Sequence, residues 1–211
     1  MIERKLLLGD EAIALGAIHA GISGVYAYPG TPSTEITEYI QGHAPEVRSR
    51  WCTNEKTAME AALGMSYAGK RALVCMKHVG MNVAADAFVN SAITGVNGGL
   101  VVLAADDPSM HSSQNEQDSR FYGKFAMIPI LEPSTQQEAY DMITDILHTD
   151  NGFDDLPIAD RKKQRQAALQ AKVDAYFAWA KNKYSQVTHN STIGKALAYS
   201  INQEKYLRVF L

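Results

Sequence analysis

Residues 24–42 read GVYAYPGTPSTEITEYIQG. The run Gly24 to Tyr28 is short, apolar and rich in β-branched and aromatic side chains, so it predicts a strand. Pro29-Gly30-Thr31-Pro32 is a turn, and Ser33 to Gly42 predicts a helix. The same alternation extends in both directions. A helix is expected over Asp10 to Ile22, a strand over Val47 to Cys52, and a helix from Asn54 to Tyr67. In that helix Ala58, Ala61, Ala62 and Met65 fall on one face at three- and four-residue spacing. Strand Ala72 to Met76, helix Met81 to Ile93 and strand Leu100 to Ala105 follow. An irregular polar loop leads to strand Ile128 to Leu131 and to a helix begun by Ser134-Thr135-Gln136-Gln137. Strands alternating with helices in this way predict an α/β fold with a parallel sheet. No internal repeat is visible.

Beyond residue 144 the style of the chain changes. Of the 15 glycines, 13 precede residue 145, as do 6 of the 7 prolines. Residues 1–144 hold 10 Lys plus Arg against 16 Asp plus Glu, whereas residues 145–211 hold 10 against 7. The stretch 145–160, acidic and punctuated by Gly152 and Pro157, predicts a linker. Helices are expected over Arg161 to Lys183, Ile193 to Ile201 and Gln203 to Leu211. We therefore expect two parts, 1–144 and 145–211. The 211 residues carry 46% hydrophobic and 20% charged side chains, the composition of a globular chain. The longest apolar run, Leu100 to Ala105, is far short of the roughly 20 residues of a membrane helix. No membrane span is expected. The start MIERKLLLGDE has no room for a signal peptide's apolar core. Two cysteines, Cys52 and Cys75, exclude a disulfide framework and fit a reduced, cytoplasmic location.

Three strand ends carry candidate chemistry. Open α/β sheets bind ligands in the crevice beyond the carboxyl ends of their strands. There, Pro29 and Gly30 shape a turn from which Thr31 and Ser33 offer hydroxyls; equally, Ser33 or Thr34 caps the next helix. Glu55 opens the helix after the second strand, either as a carboxylate complementing the helix dipole or as a functional acid at a cleft. His78 follows the third strand and reads as structural or as a ligand-orienting side chain. Their placement at consecutive strand ends predicts one crevice. The sequence has no G-x-G-x-x-G, no G-x-x-x-x-G-K-[ST], no metal-spaced Cys/His cluster and no G-x-S-x-G.

Three stretches, GDEAIALGAIHAGISGVYAYPGTPSTEI, NEKTAMEAALGMSYAGKRALVCMKHVGMNVAADAF and GGLVVLAADDPSMHSSQNEQDSRFYGKFAMIPILEPSTQQEAYDM, closely resemble the amino-terminal domain of the alpha subunit of indolepyruvate ferredoxin oxidoreductases. The resemblance covers residues 3–143 and implies the pyrimidine-binding domain of a thiamine-diphosphate-dependent 2-oxoacid ferredoxin oxidoreductase. By it, Glu55 matches the acid that hydrogen-bonds the aminopyrimidine ring, a role that calls for a raised pKa, and Thr31 matches the threonine near the substrate carboxylate. Pro29, Gly30 and His78 fall in the cofactor-binding region. The implied reaction is oxidative decarboxylation of aryl 2-oxoacids, with electrons passing to iron–sulfur clusters and ferredoxin. The implied partners are a second thiamine domain, a beta subunit and ferredoxin, and a homodimer is left open.

The family's magnesium- and diphosphate-gripping Gly-Asp-Gly does not occur in these 211 residues, and two cysteines cannot hold a four-iron cluster. The tail, with its phrases FAWAK, STIGKALAY and INQEKYLRVFL, instead resembles a helical segment of insertion-sequence sixty-six transposases over residues 146–211. Val173, Phe177 and Ala180 form an apolar stripe beside Tyr176 and Trp179. Arg161, Lys162, Lys163 and Arg165 read as a solvated basic face or as weak contacts to DNA phosphates. The expectation is a truncated chimera, inactive alone, whose larger part descends from the oxidoreductase; the alternatives are a transposase fragment with residual DNA association and a non-functional fusion remnant.

Overall fold

The computed structural model describes residues 4–151, 158–202 and 204. Strands β1 Gly24–Ala27, β2 Arg48–Trp51, β3 Ala72–Lys77 and β4 Leu100–Ala105 form one parallel sheet in the order β2-β1-β3-β4. Gly24 pairs with both Arg48 and Ala72, and Ala72 pairs with Leu100, so the carboxyl ends of the strands line up along one rim. The helices are α1 Gly9–His19, α2 Thr34–His43, α3 Glu55–Tyr67, α4 His78–Thr94, α5 Arg120–Ala126 and α6 Gln136–Asn151. Successive strand residues point to opposite faces. Val25, Ala27, Leu73 and Cys75 therefore pack with α1, α2 and α6, while Tyr26, Val74 and Met76 pack with α3 and α4. The expected helix face holds: Ala58 and Ala62 are fully buried, and Ala61 and Met65 pack at the edge of that core.

Where α1 meets α6 the contact is made at a glycine. A Cβ on Gly16 of α1 would lie 2.6 Å from Ile143 Cγ2 and 2.9 Å from the Tyr140 carbonyl of α6. Thr144 Oγ1 donates to the Tyr140 carbonyl at 2.7 Å within α6. The sequence signal for the start of α6 also holds. Glu138 accepts from the Ser134 backbone N–H at 2.8 Å, while Thr135 Oγ1 accepts from the Glu138 N–H at 3.1 Å.

Two expectations are corrected. Ile128 to Leu131 is not a strand, because Pro129 has no N–H to give a ladder and the segment instead folds back on α5. Met127 caps that helix in the left-handed region at φ 57°, the Ile128 N–H reaches the Gly123 carbonyl at 2.9 Å, and Ile130 lies over Gly123. Helix α5 itself arises inside the stretch expected to be an irregular loop. The acidic linker expected at 145–160 is likewise shorter: residues 145–151 complete α6 and residues 158–160 open the next helix, the remainder lying outside the described residues.

The chain divides into two compact units, Met1–Gly152 and Phe153–Leu211. The second is helical, with α7 Ile158–Tyr184 and α8 Thr192–Asn202. Phe177 and Ala180 of α7 and Leu197 of α8 are buried, Tyr176 and Trp179 are exposed, and Tyr184 stacks on His189 at 4.4 Å. The basic run from Arg161 falls in the first half of α7. The expected last helix, Gln203 to Leu211, lies outside the described residues apart from Glu204.

Candidate functional site

In the order β2-β1-β3-β4 the chain leaves β1 for one neighbour and returns to its other side as β3, so the switch point lies between the carboxyl ends of β1 and β3. The Pro29–Pro32 turn stands at one side. Its backbone is closed by its own hydroxyls: Gly30 N–H donates to Thr34 Oγ1 at 2.7 Å, and buried Ser33 Oγ donates to the Gly30 carbonyl at 2.8 Å. Ser33, read either as an outward hydroxyl or as a helix cap, stands at the N-cap position of α2 without a side-chain cap bond and uses its hydroxyl within the turn. Thr31 is exposed, and among the described residues its hydroxyl has no hydrogen-bond partner. The Thr31-Pro32 peptide is cis.

At the other side of the switch point, Lys77 ends β3 and caps α4. Its alkyl stem lies along Gly30, where a Cβ would meet Lys77 Cδ at 3.3 Å. Glu55 comes from the next strand end over. It is the first residue of α3, fixed there because the Asn54 side chain accepts from the Thr57 N–H at 2.9 Å. The half-buried Glu55 side chain reaches the first turn of α4. A Cβ on Gly80 would lie 2.6 Å from Glu55 Cγ and 2.7 Å from Oε1, so only glycine admits the carboxyl there.

His78 is brought to the same turn but points inward and is fully buried. Its Nε2 lies 2.9 Å from the Asn115 carbonyl, so Nε2 carries the proton and donates. Nδ1 is buried without a hydrogen-bond partner. His78 thereby anchors a strap that sequence reasoning passed over, the segment between β4 and α5. Gln117 Nε2 donates to the His78 carbonyl at 3.0 Å, Lys77 Nζ to the Ser112 carbonyl at 2.7 Å, and Ser112 Oγ to the Thr31 carbonyl at 3.2 Å. Asp107 folds the strap by accepting from Ser113 Oγ, from the Ser112 N–H at 2.8 Å and from the His111 N–H at 3.1 Å. Those donors hold its carboxyl down at about 2, led by the Ser113 hydroxyl. The legible signal was Asp107-Pro108 followed by the Ser112-Ser113 pair; the long-range bonds left none.

Two open cavities border this constellation, one sharing Gln117 of the strap and the other reaching Thr53 and Thr57 beside Glu55. One, about 310 Å³, is lined by Asp106, Glu116, Asp118, Arg120 and Glu132 among others; the other, about 350 Å³, by Tyr26, Arg48, Arg50 and Trp51 among others. Neither includes Thr31, Glu55 or Lys77, which stand at neighbouring strand ends along the same rim. Among the described residues there is no metal-binding group of three or more His, Cys, Asp or Glu side chains, and no helix long and apolar enough to cross a membrane.

The first unit is a parallel α/β sheet whose strand order reverses direction between β1 and β3, the place where open sheets of this class put their ligand crevice. The model of the family described as pyruvate flavodoxin/ferredoxin oxidoreductase, thiamine diP-bdg, matches residues 15–149, and the chain belongs to that family. The model of the IS66 transposase family matches residues 124–211, so the second part resembles those transposases. Indolepyruvate oxidoreductase subunit IorA of Pyrococcus abyssi is 57% identical over 143 residues, 67% of this chain and 22% of the relative. The subunit of the same name from Methanothermobacter thermautotrophicus is 41% identical over 174 residues, 82% of this chain and 28% of the relative. The chain thus spans about a quarter of the length of the curated relatives it matches. A 2-oxoglutarate:ferredoxin oxidoreductase from Magnetococcus marinus shares the fold, with a TM-score of 0.56 at 22% identity over 67% of this chain and 26% of that one.

Proposed function

We propose that residues 1–144 form the pyrimidine side of a thiamine diphosphate site in an indolepyruvate-type oxidoreductase subunit, and that residues 145–211 are a transposase-derived helical addition. The observation that carries the reading is Glu55 seated in the space that Gly80 leaves open, in a chain whose match to the thiamine-binding family model, residues 15–149, spans both residues. The residues fit the cofactor's ring: a carboxyl held at a glycine-lined edge offers one oxygen to a flat heterocycle without a competing Cβ. Thiamine diphosphate, when bound, supplies the carbon that attacks a 2-oxoacid and stabilises the product of carbon dioxide loss. With the cofactor bound, Glu55 would hold the ring and exchange a proton with its nitrogen; the Pro29–Gly30 turn and the His78-anchored strap would keep the site in shape, and Thr31 would stand on the substrate side. Electron transfer to iron–sulfur clusters and ferredoxin, magnesium binding, a beta subunit and a homodimer belong to the same reading.

An open groove encloses only one side of a ligand, and these residues offer no Gly-Asp-Gly for magnesium diphosphate. One hydrogen bond to a charged or polarised partner contributes about 1.5–3 kcal/mol, whereas millimolar affinity already needs about 4. The 211-residue chain alone is therefore expected to bind no cofactor at micromolar concentration. Calorimetry with magnesium and thiamine diphosphate checks this: saturable micromolar heat that disappears in Glu55→Ala would mean a complete site. The role of Glu55 is tested by supplying a complementary thiamine domain from a relative; binding that survives Glu55→Ala unchanged would sink it.

The transposase match favours a second reading for the tail, weak DNA association through the basic start of α7. It predicts duplex binding that weakens steeply with salt and no strand transfer.

A further inference from the structure

We infer that Lys77 is the cation that receives the carboxylate of the substrate, and so selects 2-oxoacids over uncharged carbonyl compounds at the β1/β3 switch point. The inference rests on the thiamine reading for the identity of the substrate, but the site itself stands on the geometry of this chain.

Lys77 ends the central strand, half-buried, with its stem pressed along Gly30 and its ammonium turned toward the turn that carries Thr31. An ammonium has three N–H donors. One is taken by the Ser112 carbonyl at 2.7 Å, and among the described residues no carboxylate pairs with it. Two other cations near the strand ends, Lys56 and Arg120, are already neutralised, whereas Arg50 at the end of β2 lines the cavity beside Trp51. Lys56 pairs with Asp86 at 2.9 Å, and Arg120 pairs with Asp118 and Glu132, each at 2.8 Å. Lys77 also caps the amino terminus of the 17-residue α4, whose own first turn contains no acidic residue, so the helix dipole adds positive potential there, opposed by the Glu55 carboxyl packed against Gly80.

The ligand is then defined chemically. It is a small carboxylate that takes N–H donors from Lys77 and the unused hydroxyl of Thr31, which the strap keeps within reach through Ser112: that one residue accepts from Lys77 and donates to the Thr31 carbonyl. Glu55, whose carboxyl packs against Gly80 three residues after Lys77, is left for a neutral or cationic ring.

The test uses the full chain, labelled with nitrogen-15 and without cofactor, titrated with phenylpyruvate and with its methyl ester. Saturable shifts at Gly30, Thr31, Lys77 and Ser112 are expected with a dissociation constant of about millimolar, and none with the ester. Lys77→Met should weaken binding about tenfold or more, which is about 1.4 kcal/mol, while Lys77→Arg, which keeps the charge, should stay within about threefold. Because Lys77 bonds only to a carbonyl on the strap, the amide spectrum of the β3 core should be unchanged in both variants. Equal binding by Lys77→Met, equal binding of the ester, or no shift at all would each overturn the inference. Since no thiamine diphosphate is present, such a failure would leave the Glu55 reading intact, and a failed Glu55 reconstitution would leave this site intact.

Discussion

The sheet's packed interior and the polar rim at its carboxyl ends are held by different forces acting over different stretches of chain. In the interior, apolar residues two, three or four positions apart meet the same layer, as Ala58 and Ala62 or Leu73 and Cys75 do. At the rim, the strap is tied by bonds between residues far apart in sequence: Ser112 to Thr31, Asn115 to His78, Gln117 to His78. Interior order should therefore respond to volume, and rim order to single donors and acceptors.

The sharpest way to break the comparison is to add volume where α1 meets α6. Gly16→Ala is expected to destabilise the first unit by about 1–3 kcal/mol, because the new methyl meets a backbone carbonyl that cannot move aside as a side chain can. Urea denaturation followed by exchange of the β3 amides measures it. An unchanged midpoint would show that the two helices slide freely.

The two cysteines sample the same contrast. Cys75, fully buried in the central strand, has its thiol pushed up to about 12 by burial. Half-exposed Cys52 is raised less by burial, and Arg50 opposes the shift. Iodoacetamide at mildly alkaline pH should alkylate Cys52 in the folded chain, with Cys75 slower by about a hundredfold or more, since only the thiolate reacts. Comparable rates, read by peptide mass spectrometry, would mean that the interior opens locally.

The rim is tested through Asp107. Its carboxyl titrates lower in the folded chain than the ordinary 3.8, so the unfolded strap binds the proton more readily. The ordering it contributes is fully present above about pH 4 and is lost as pH falls toward about 2. Amide exchange at His111 and Ser112 should accelerate across that window while β3 stays protected, and Asp107→Asn should show fast exchange at neutral pH already. If strap and sheet lose protection together, the rim is not separable from the interior.

This division also sets how much was legible in the sequence. The four paired strands and the helices on both faces follow from apolar periodicity, because a buried stripe repeats within one turn or one strand. Leu100–Ala105 ends where expected, and Asn54 marks the start of α3 because a side-chain cap is a local signal. Ile128 to Leu131 misled because its apolar run outweighed Pro129. Of the candidate site, the strand ends bearing Thr31, Glu55 and His78 were legible. The inward turn of His78, the internal use of Ser33 and the strap were not, since each depends on which distant group arrives as partner. Lys77 was visible as a residue but not as a cation without an acid, a property that only the assembled rim defines.

The smallest expected effect sharpens the comparison by reversing its sign. Gly64 lies within α3, as Gly16 lies within α1, and on helix propensity alone both should gain from alanine by about 0.5–1 kcal/mol, since glycine gives up more backbone freedom on folding. Nothing lies within 4 Å of a Cβ built on Gly64, and its backbone is outside the left-handed region, so the entropic gain meets no steric opposition. Gly64→Ala is therefore expected to raise the urea midpoint by an amount worth up to about 1 kcal/mol, where the same substitution at Gly16 lowers it. Both variants change one hydrogen into one methyl on a helix of the same unit, so the difference between them isolates the contact with α6. If Gly64→Ala also destabilised the chain, α3 would be opposed by a surface that the first unit does not contain, and the contrast between the two glycines would no longer report on packing alone.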